Sequence, residues 1–145
     1  MRKPSRDELI EAFPVRAALE SLAASEAAQR ITKDQLDQLE DLIVEMETAA
    51  RHGNAHEQAI ANAQFHGLIV EAAQNSTLER LWAVLEPWAR TYLTAARSGV
   101  DLTELAVRHR KILKPLRQRD SEGAAAAMRE HLLEAGRWLQ EVSDK

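Results

Sequence analysis

The sequence predicts an all-α protein, a single domain built as an antiparallel bundle of six to seven helices. Its 145 residues include 25 alanines but only five glycines and four prolines, which favours helices and leaves little turn material for a β fold. No segment shows the two-residue alternation of a strand. Helices joined by short connections pack as antiparallel neighbours. A chain of this length forms one domain, so residues 1–145 are taken as one unit.

The first two helices are predicted from capping boxes, in which a Ser or Thr precedes a Glu or Gln by three residues. Such patterns occur at residues 5–8 and 32–35. Pro14 interrupts the first apolar stripe, so a short helix or a kink is expected before the main helix, which covers about 14–30. The second helix should end at the glycine of residues 52–53.

Four further helices follow from the same kind of punctuation. A third is expected over about 55–73, and a fourth, capped by Ser76, is expected to bend at Pro87 and to end before residue 98. A fifth is predicted over 101–119. The sixth is predicted over about 121–142.

Several classes of function are excluded by what the sequence lacks. There is no cysteine, which excludes disulfides, zinc–thiolate sites and thiol catalysis. The sequence has no nucleophile elbow, no glycine-rich phosphate loop, no H-E-x-x-H and no Glu-x-x-His pair. No apolar run is long enough to span a membrane, so we expect a cytoplasmic protein. The net charge of −4, with charges of both signs interspersed, gives no reason to expect that this chain binds DNA by itself.

Three histidines occupy matching heights in the predicted bundle. His109 precedes Asp120 by 11 residues and His131 follows it by 11, so each lies about 16 Å from the turn of the last hairpin. His66 lies at a comparable depth in the neighbouring hairpin, and Asn62 is one turn earlier on the same face. These four side chains could hold a metal that imidazole favours, with zinc or nickel the leading choices. The alternative is three unrelated histidines at half-exposed helix positions.

The other two histidines are expected to be solvated. His52 and His56 are four residues apart, but the Gly53-Asn54 pair between them is typical of a helix stop.

The order of these features resembles the FCD domain, the ligand-sensing domain of FadR-type GntR transcription regulators. The resemblance covers about residues 8–140. This chain departs from the family at two positions. Asn62 stands where the D-x-x-F-H motif begins with Asp, and Arg108 stands where the E-H-R segment begins with Glu. The matching segments are Val15–Glu20 (R-x-x-L-E), Asn62–His66 (D-x-x-F-H), Asn75 (a turn), His109–Arg110 (E-H-R), Asp120 (a turn) and Met128–Leu132 (M-x-x-H-L).

The resemblance implies a bundle that holds a divalent transition metal beside a small carboxylate effector. Carried over, the metal ligands are Asn62, His66, His109 and His131. Because Asn62 replaces an aspartate, the site should be more positive, bind metal less tightly and attract an anionic effector at least as well. The family also implies a homodimer and a winged helix-turn-helix domain that precedes this one. DNA would then be contacted only through that domain, which is absent from this chain.

Two arginines are candidates for binding the effector, because a guanidinium matches a carboxylate with two parallel hydrogen bonds. Arg16 lies on an apolar helix face, where an internal ion pair with Glu20, one turn on, is an equally good interpretation. Arg90 lies on the bent fourth helix, and the alternative for it is a solvated surface charge.

The leading hypothesis is therefore an effector-sensing domain and not an enzyme. The runner-up is a metal-dependent hydrolase, because three histidines with an open position also form catalytic zinc sites. A general base with a convincing place near the metal is missing, since no glutamate lies at helical spacing from any of the three histidines except near His131, where Glu130 and Glu134 lie. A third hypothesis is a structural bundle without a ligand.

Overall fold

The computed structural model describes residues 5–96 and 101–143, with side chains described for 5–86 and 101–141. Within these ranges the chain forms seven helices and no strand, which confirms the predicted all-α bundle. The helices are α1 (Arg6–Arg30), α2 (Lys33–Arg51), α3 (Ala55–Ala72), α4 (Ser76–Ala96), α5 (Leu102–Val107), α6 (Arg110–Arg117) and α7 (Ser121–Ser143). None of the described helices is long and apolar enough to cross a bilayer.

Both predicted capping boxes are present. The Ser5 hydroxyl accepts a hydrogen bond from the Glu8 amide, and the Glu8 carboxylate accepts one from the Ser5 amide. Thr32 and Gln35 form the same reciprocal pair at the start of α2. At the start of α4, the side chain that accepts from the helix is Asn75, at 3.1 Å from the Leu78 amide, rather than the expected Ser76.

Two predicted boundaries differ from the structure. The expected separate helix before Pro14 is wrong, because α1 continues through Pro14. Proline removes one helical hydrogen bond, but Phe13 and Ala17 on either side are buried, and their packing keeps the helix in one piece. The predicted fifth helix over 101–119 is divided into α5 and α6 at Arg108 and His109.

Helix α1 lies at the centre of the bundle and packs against α7, α3 and α4. Its alanines 23, 24, 27 and 28 are fully buried, so neighbouring helices approach its backbone closely. The closest approach is at Gly136 of α7, where an added Cβ would lie 2.9 Å from the Cβ of Phe13. Trp82 and Trp138 pack against the edge of the same core.

The C-terminal end of α1 is tied to two other connections. Gln29 donates to the Arg119 carbonyl and to the Ser121 hydroxyl, each at 2.9 Å. Arg30 donates to the Ala73 carbonyl at 3.0 Å, and the Arg119 guanidinium donates to carbonyls at the end of α1. These bonds satisfy carbonyls that helix ends leave without partners, and they fix α1 relative to α3 and α7.

Candidate metal centre

Three histidines from separate elements meet in the core. His66 comes from α3, His109 from the break between α5 and α6, and His131 from α7. Their side chains are 1%, 0% and 8% exposed. One nitrogen from each lies within 4.8 Å of the other two, and this is the sole cluster of its kind in the described part of the chain. The ring centroids are 4.4 Å apart for His109 and His131, and 5.4 Å apart for His66 and His109. The three histidines that the sequence placed at matching heights therefore lie together in the structure.

The side chain of His109 forms hydrogen bonds with backbone carbonyls at the end of α5. Its Nδ1 lies 3.0 Å from the Leu105 carbonyl and 3.2 Å from that of Ala106. Both partners are acceptors, so Nδ1 carries the proton and donates. The break between α5 and α6 therefore occurs where an imidazole bonds backbone carbonyls. Because Nδ1 makes these bonds, the lone pair of the His109 ring is on Nε2.

Asn62 lies against that lone pair. Its Oδ1 is 2.7 Å from Nε2 of His109. With the proton on Nδ1, Nε2 and Oδ1 are both acceptors, an arrangement that a shared cation makes favourable. Without a cation, rotation of the amide would let its NH₂ group donate to Nε2 instead.

His66 is held from the opposite side by a buried ion pair. Its Nδ1 lies 2.5 Å from Glu20 Oε1. The other oxygen of Glu20 accepts from Arg16 Nε and Nη2, each at 3.0 Å. The spacing in the sequence indicated Glu20 only as a partner for Arg16, and its contact with His66 was not predicted. Because Nδ1 is taken by Glu20, the nitrogen that His66 offers to the cluster is Nε2.

His131 has a buried nitrogen without a partner. Among the described residues, no group forms a hydrogen bond with its Nδ1. The ring also borders a pocket of about 140 Å³, which is lined further by Arg108, Lys111, Ala127, Glu130 and Glu134. A buried nitrogen with no partner is costly in a protein core, and a metal is one way to satisfy it.

Arg108 closes one side of this pocket. Its guanidinium lies 3.2 Å from the Glu134 carboxylate on α7, and it also pairs with Glu104 at 3.5 Å. It stacks 4.5 Å from the ring of Trp138. These contacts join the segment that carries His109 to the helix that carries His131.

The electrostatics of the cluster keep His109 and His131 neutral. Burial lowers the pKa of His109 to about 3. Burial, together with the neighbouring His109, lowers the pKa of His131 well below its ordinary value. For Glu20, burial alone would raise the pKa, but the charge of Arg16 and the contact with His66 outweigh it and lower the pKa to about 2. Neutral imidazoles are the form that binds metal.

These residues fit a transition metal. Metal–nitrogen distances are about 2.1 Å, so two ligand atoms of a tetrahedral site lie about 3.4 Å apart. Nitrogens that lie within 4.8 Å of one another therefore have to approach by at most about 1.4 Å. Three imidazoles and an amide oxygen suit zinc, nickel or copper better than magnesium or calcium.

The other residues that the sequence singled out have different outcomes. His52 and His56 are exposed, in agreement with the expectation of a solvated pair. Arg16 forms the ion pair with Glu20 that was one of its two interpretations. Arg90 belongs to α4, but its side chain lies outside the described residues.

Comparison with known proteins gives a consistent picture. The model of the FCD domain matches residues 11–134. A curated relative from Paenarthrobacter nicotinovorans, named as a probable D-xylose utilization operon transcriptional repressor, is 33% identical over 132 residues. The match covers 91% of this chain but 58% of the relative, so the chain spans less than two thirds of that protein.

Two solved structures of longer proteins have a similar fold. Streptococcus agalactiae GntR has a TM-score of 0.76 and 26% identity, over 92% of this chain and 60% of that protein. E. coli McbR/YncC has a TM-score of 0.81 and 21% identity, over 94% of this chain and 70% of that protein, and this supports the fold.

The lowered histidine pKa values predict a pH-dependent stability of the metal-free protein. In the unfolded chain a histidine titrates near 6.5, whereas folded His109 resists protonation down to about pH 3. Its contribution to stability is therefore complete above about pH 6.5 and is lost as the pH falls toward 3, by up to about 1.4 kcal/mol per pH unit. Urea midpoints at pH 7.5 and 5.5, measured with EDTA, should show this loss.

A matched pair of variants identifies the source of this loss. His109→Gln should reduce the difference between the two pH values, whereas His56→Gln, at an exposed position, should leave it as in the parent. An equal pH dependence in the parent and His109→Gln would contradict the assignment.

Proposed function

Because the chain belongs to the FCD domain family, we propose that it is the effector-sensing domain of a cytoplasmic GntR-family transcription regulator. It binds a divalent transition metal and a small carboxylate. The observation that carries this proposal is the buried convergence of His66, His109 and His131. The hydrolase alternative is set aside, because the family and the curated relative are transcription regulators.

The metal ligands in this proposal are His66, His109 and His131, with Asn62 as a fourth. When bound, the metal supplies a Lewis acid that accepts a carboxylate oxygen. All four protein donors are neutral, and the nearby charges of Arg16 and Glu20 offset each other. The two positive charges of the ion are therefore left for an anion to neutralise, which favours an anionic effector.

Arg16 is the proposed second contact for the effector. A guanidinium has five N–H donors, and the contacts with Glu20 engage the edge formed by Nε and Nη2. The edge that includes Nη1 has the geometry to meet a second carboxylate. The charge of Arg16 also contributes to the lowered pKa of His131, so it acts on the same buried site. Arg90 stays a second candidate.

DNA binding belongs in this proposal to a part of the protein outside this chain. The effector would bind one arrangement of the bundle more tightly than another and so shift their populations. The anchoring of α1 at both the cluster and its C-terminal end gives the bundle a rigid element through which such a shift can act.

The domain is also proposed to form a homodimer. Trp82 and Trp138 are partly buried against the core and leave little apolar surface for a partner. Exposed apolar side chains occur instead on α1 and α4, which pack against each other. They are Val15, Leu22, Leu81 and Val84.

Sedimentation tests the dimer. The parent should sediment as a dimer at tens of micromolar, and Leu81→Glu with Val84→Glu should shift it to monomer, because a buried unpaired charge is strongly unfavourable at an interface. Val107→Glu, at an exposed position on α5, should have no effect. A monomeric parent would contradict the proposal.

Elemental analysis of the protein and of variants that lack one metal ligand tests the proposed metal site. The protein purified without chelator should hold about one metal per chain by elemental analysis, and His109→Ala or His131→Ala should lose most of it. Bound metal at about 100 times its Kd stabilises a protein by about 2.7 kcal/mol, so the melting temperature of these variants should also fall. Asn62→Ala should be milder, and Asn62→Asp should tighten binding because it adds a charge.

The exposed His56 provides the control for this experiment. His56→Ala should keep both the metal and the melting temperature. Should the parent take up no metal on reconstitution, and His109→Ala and His131→Ala melt as the parent does, the metal site is absent.

Thermal melting with added succinate tests the effector. Succinate should raise the melting temperature of the zinc-loaded protein and leave that of the EDTA-treated protein unchanged. Arg16→Lys should keep the zinc and weaken the succinate response, since lysine lacks the planar fork. Arg110→Lys, on the exposed side of α6, is the control. The same rise with and without zinc would exclude a shared site.

A further inference from the structure

Glu20 is a buried carboxylate whose two oxygens serve different partners. Oε1 lies 2.5 Å from His66 Nδ1, and Oε2 accepts both donors of Arg16 at 3.0 Å. All three residues are buried. Arg16 and Glu20 are one turn apart on α1, whereas His66 is 46 positions further along the chain, on α3. One side chain thus joins α1 to the histidine cluster.

We propose that Glu20 is a positioning residue that sets the tautomer of His66. An ionised carboxylate only accepts hydrogen bonds, so the nitrogen facing it must donate. In the neutral imidazole, which is the form that binds metal, the proton is therefore on Nδ1 and the lone pair is on Nε2. Because Glu20 occupies Nδ1, Nε2 is the nitrogen left for the cluster, so the contact with Glu20 gives the cluster its third lone pair.

Arg16 makes a carboxylate necessary at this position. Glutamine has nearly the same shape, but it has one acceptor oxygen and one donor NH₂ group. A guanidinium has no acceptor, so Arg16 would take the oxygen and turn the NH₂ group toward His66. Nδ1 would then have to accept, and the proton would move to Nε2. The nearly isosteric Glu20→Gln change should therefore invert the tautomer and remove the lone pair.

The same carboxylate couples the two proposed binding sites, a consequence that rests on the proposed function. Zinc on Nε2 strengthens the Nδ1–H bond to Glu20, and Glu20 in turn holds Arg16, the proposed contact of the effector. Coupling of this kind is reciprocal, so zinc and a carboxylate should each raise the affinity for the other.

Nitrogen NMR of the imidazole rings tests the tautomer without any metal. In the EDTA-treated parent, ¹⁵N shifts of His66 should show the proton on Nδ1. In Glu20→Gln the proton should be on Nε2. Adding Arg16→Met to Glu20→Gln removes the competing cation and should return the proton to Nδ1, because the amide oxygen can then face His66.

Glu26→Gln is the matched control. Glu26 also lies on α1 and pairs with an arginine one turn away, Arg30 at 3.5 Å, and it belongs neither to the histidine cluster nor to the pocket beside His131. This variant should keep the parent tautomer. A parent with the proton on Nε2, or a Glu20→Gln protein with the proton still on Nδ1, would overturn the proposal. The parent spectrum decides it even where Glu20→Gln does not fold.

Zinc binding provides the second readout. In competition with a chromophoric chelator, Glu20→Gln should weaken zinc binding by about 10- to 100-fold, as is typical of losing a group that orients a metal ligand. The double variant should recover part of the loss, and Glu26→Gln should stay close to the parent. A parent that binds no zinc but shows the Nδ1 proton would refute the metal site and leave the role of Glu20 intact.

Discussion

The candidate site and the helices around it depend on one constraint, the burial of three imidazoles whose nitrogens lie close together. Such an arrangement is unfavourable unless the outer nitrogen of each ring is satisfied and a cation joins the inner ones. His66 uses Glu20 for its outer nitrogen, and His109 uses two backbone carbonyls. His131 Nδ1 has no hydrogen bond in the described structure, and a shared cation would satisfy it. A bound ligand therefore explains this arrangement of buried polar groups better than a contribution to the stability of the folded protein does.

Two local irregularities follow from this arrangement. The helix that the sequence predicts over 101–119 is interrupted at His109, where the ring bonds the Leu105 carbonyl and the His109 amide bonds the carbonyl of Ala106 instead. The ion pair of Arg16 and Glu20 lies where apolar packing would serve at least as well, since a buried pair contributes little net stability. Its presence is accounted for by the orientation it gives to His66.

The charge balance connects the site to its proposed role. The amide of Asn62 and three imidazoles leave the charge of a divalent ion unreduced, while Arg16 lies close enough to influence His131. A site of this kind favours an anion that can reach both the metal and the guanidinium. An effector that binds inside the core must affect how the surrounding helices pack. The burial of the site therefore suits it to sensing an effector.

The sequence by itself determined the helices and the heights of the histidines. Caps at residues 5–8 and 32–35 are local, and a constant rise per residue places His109 and His131 at equal distances from Asp120. The sequence could not decide whether Pro14 breaks α1, because the packing of the buried residues around Pro14 outweighs the low helix propensity of proline.

Only the tertiary structure decided between the two interpretations of Arg16 and revealed the second partner of Glu20. The contact between Glu20 and His66 joins residues 46 positions apart on different helices, and no spacing rule within one helix can predict it. Periodicity fixes which face a side chain occupies, whereas the partner it meets depends on how the helices pack.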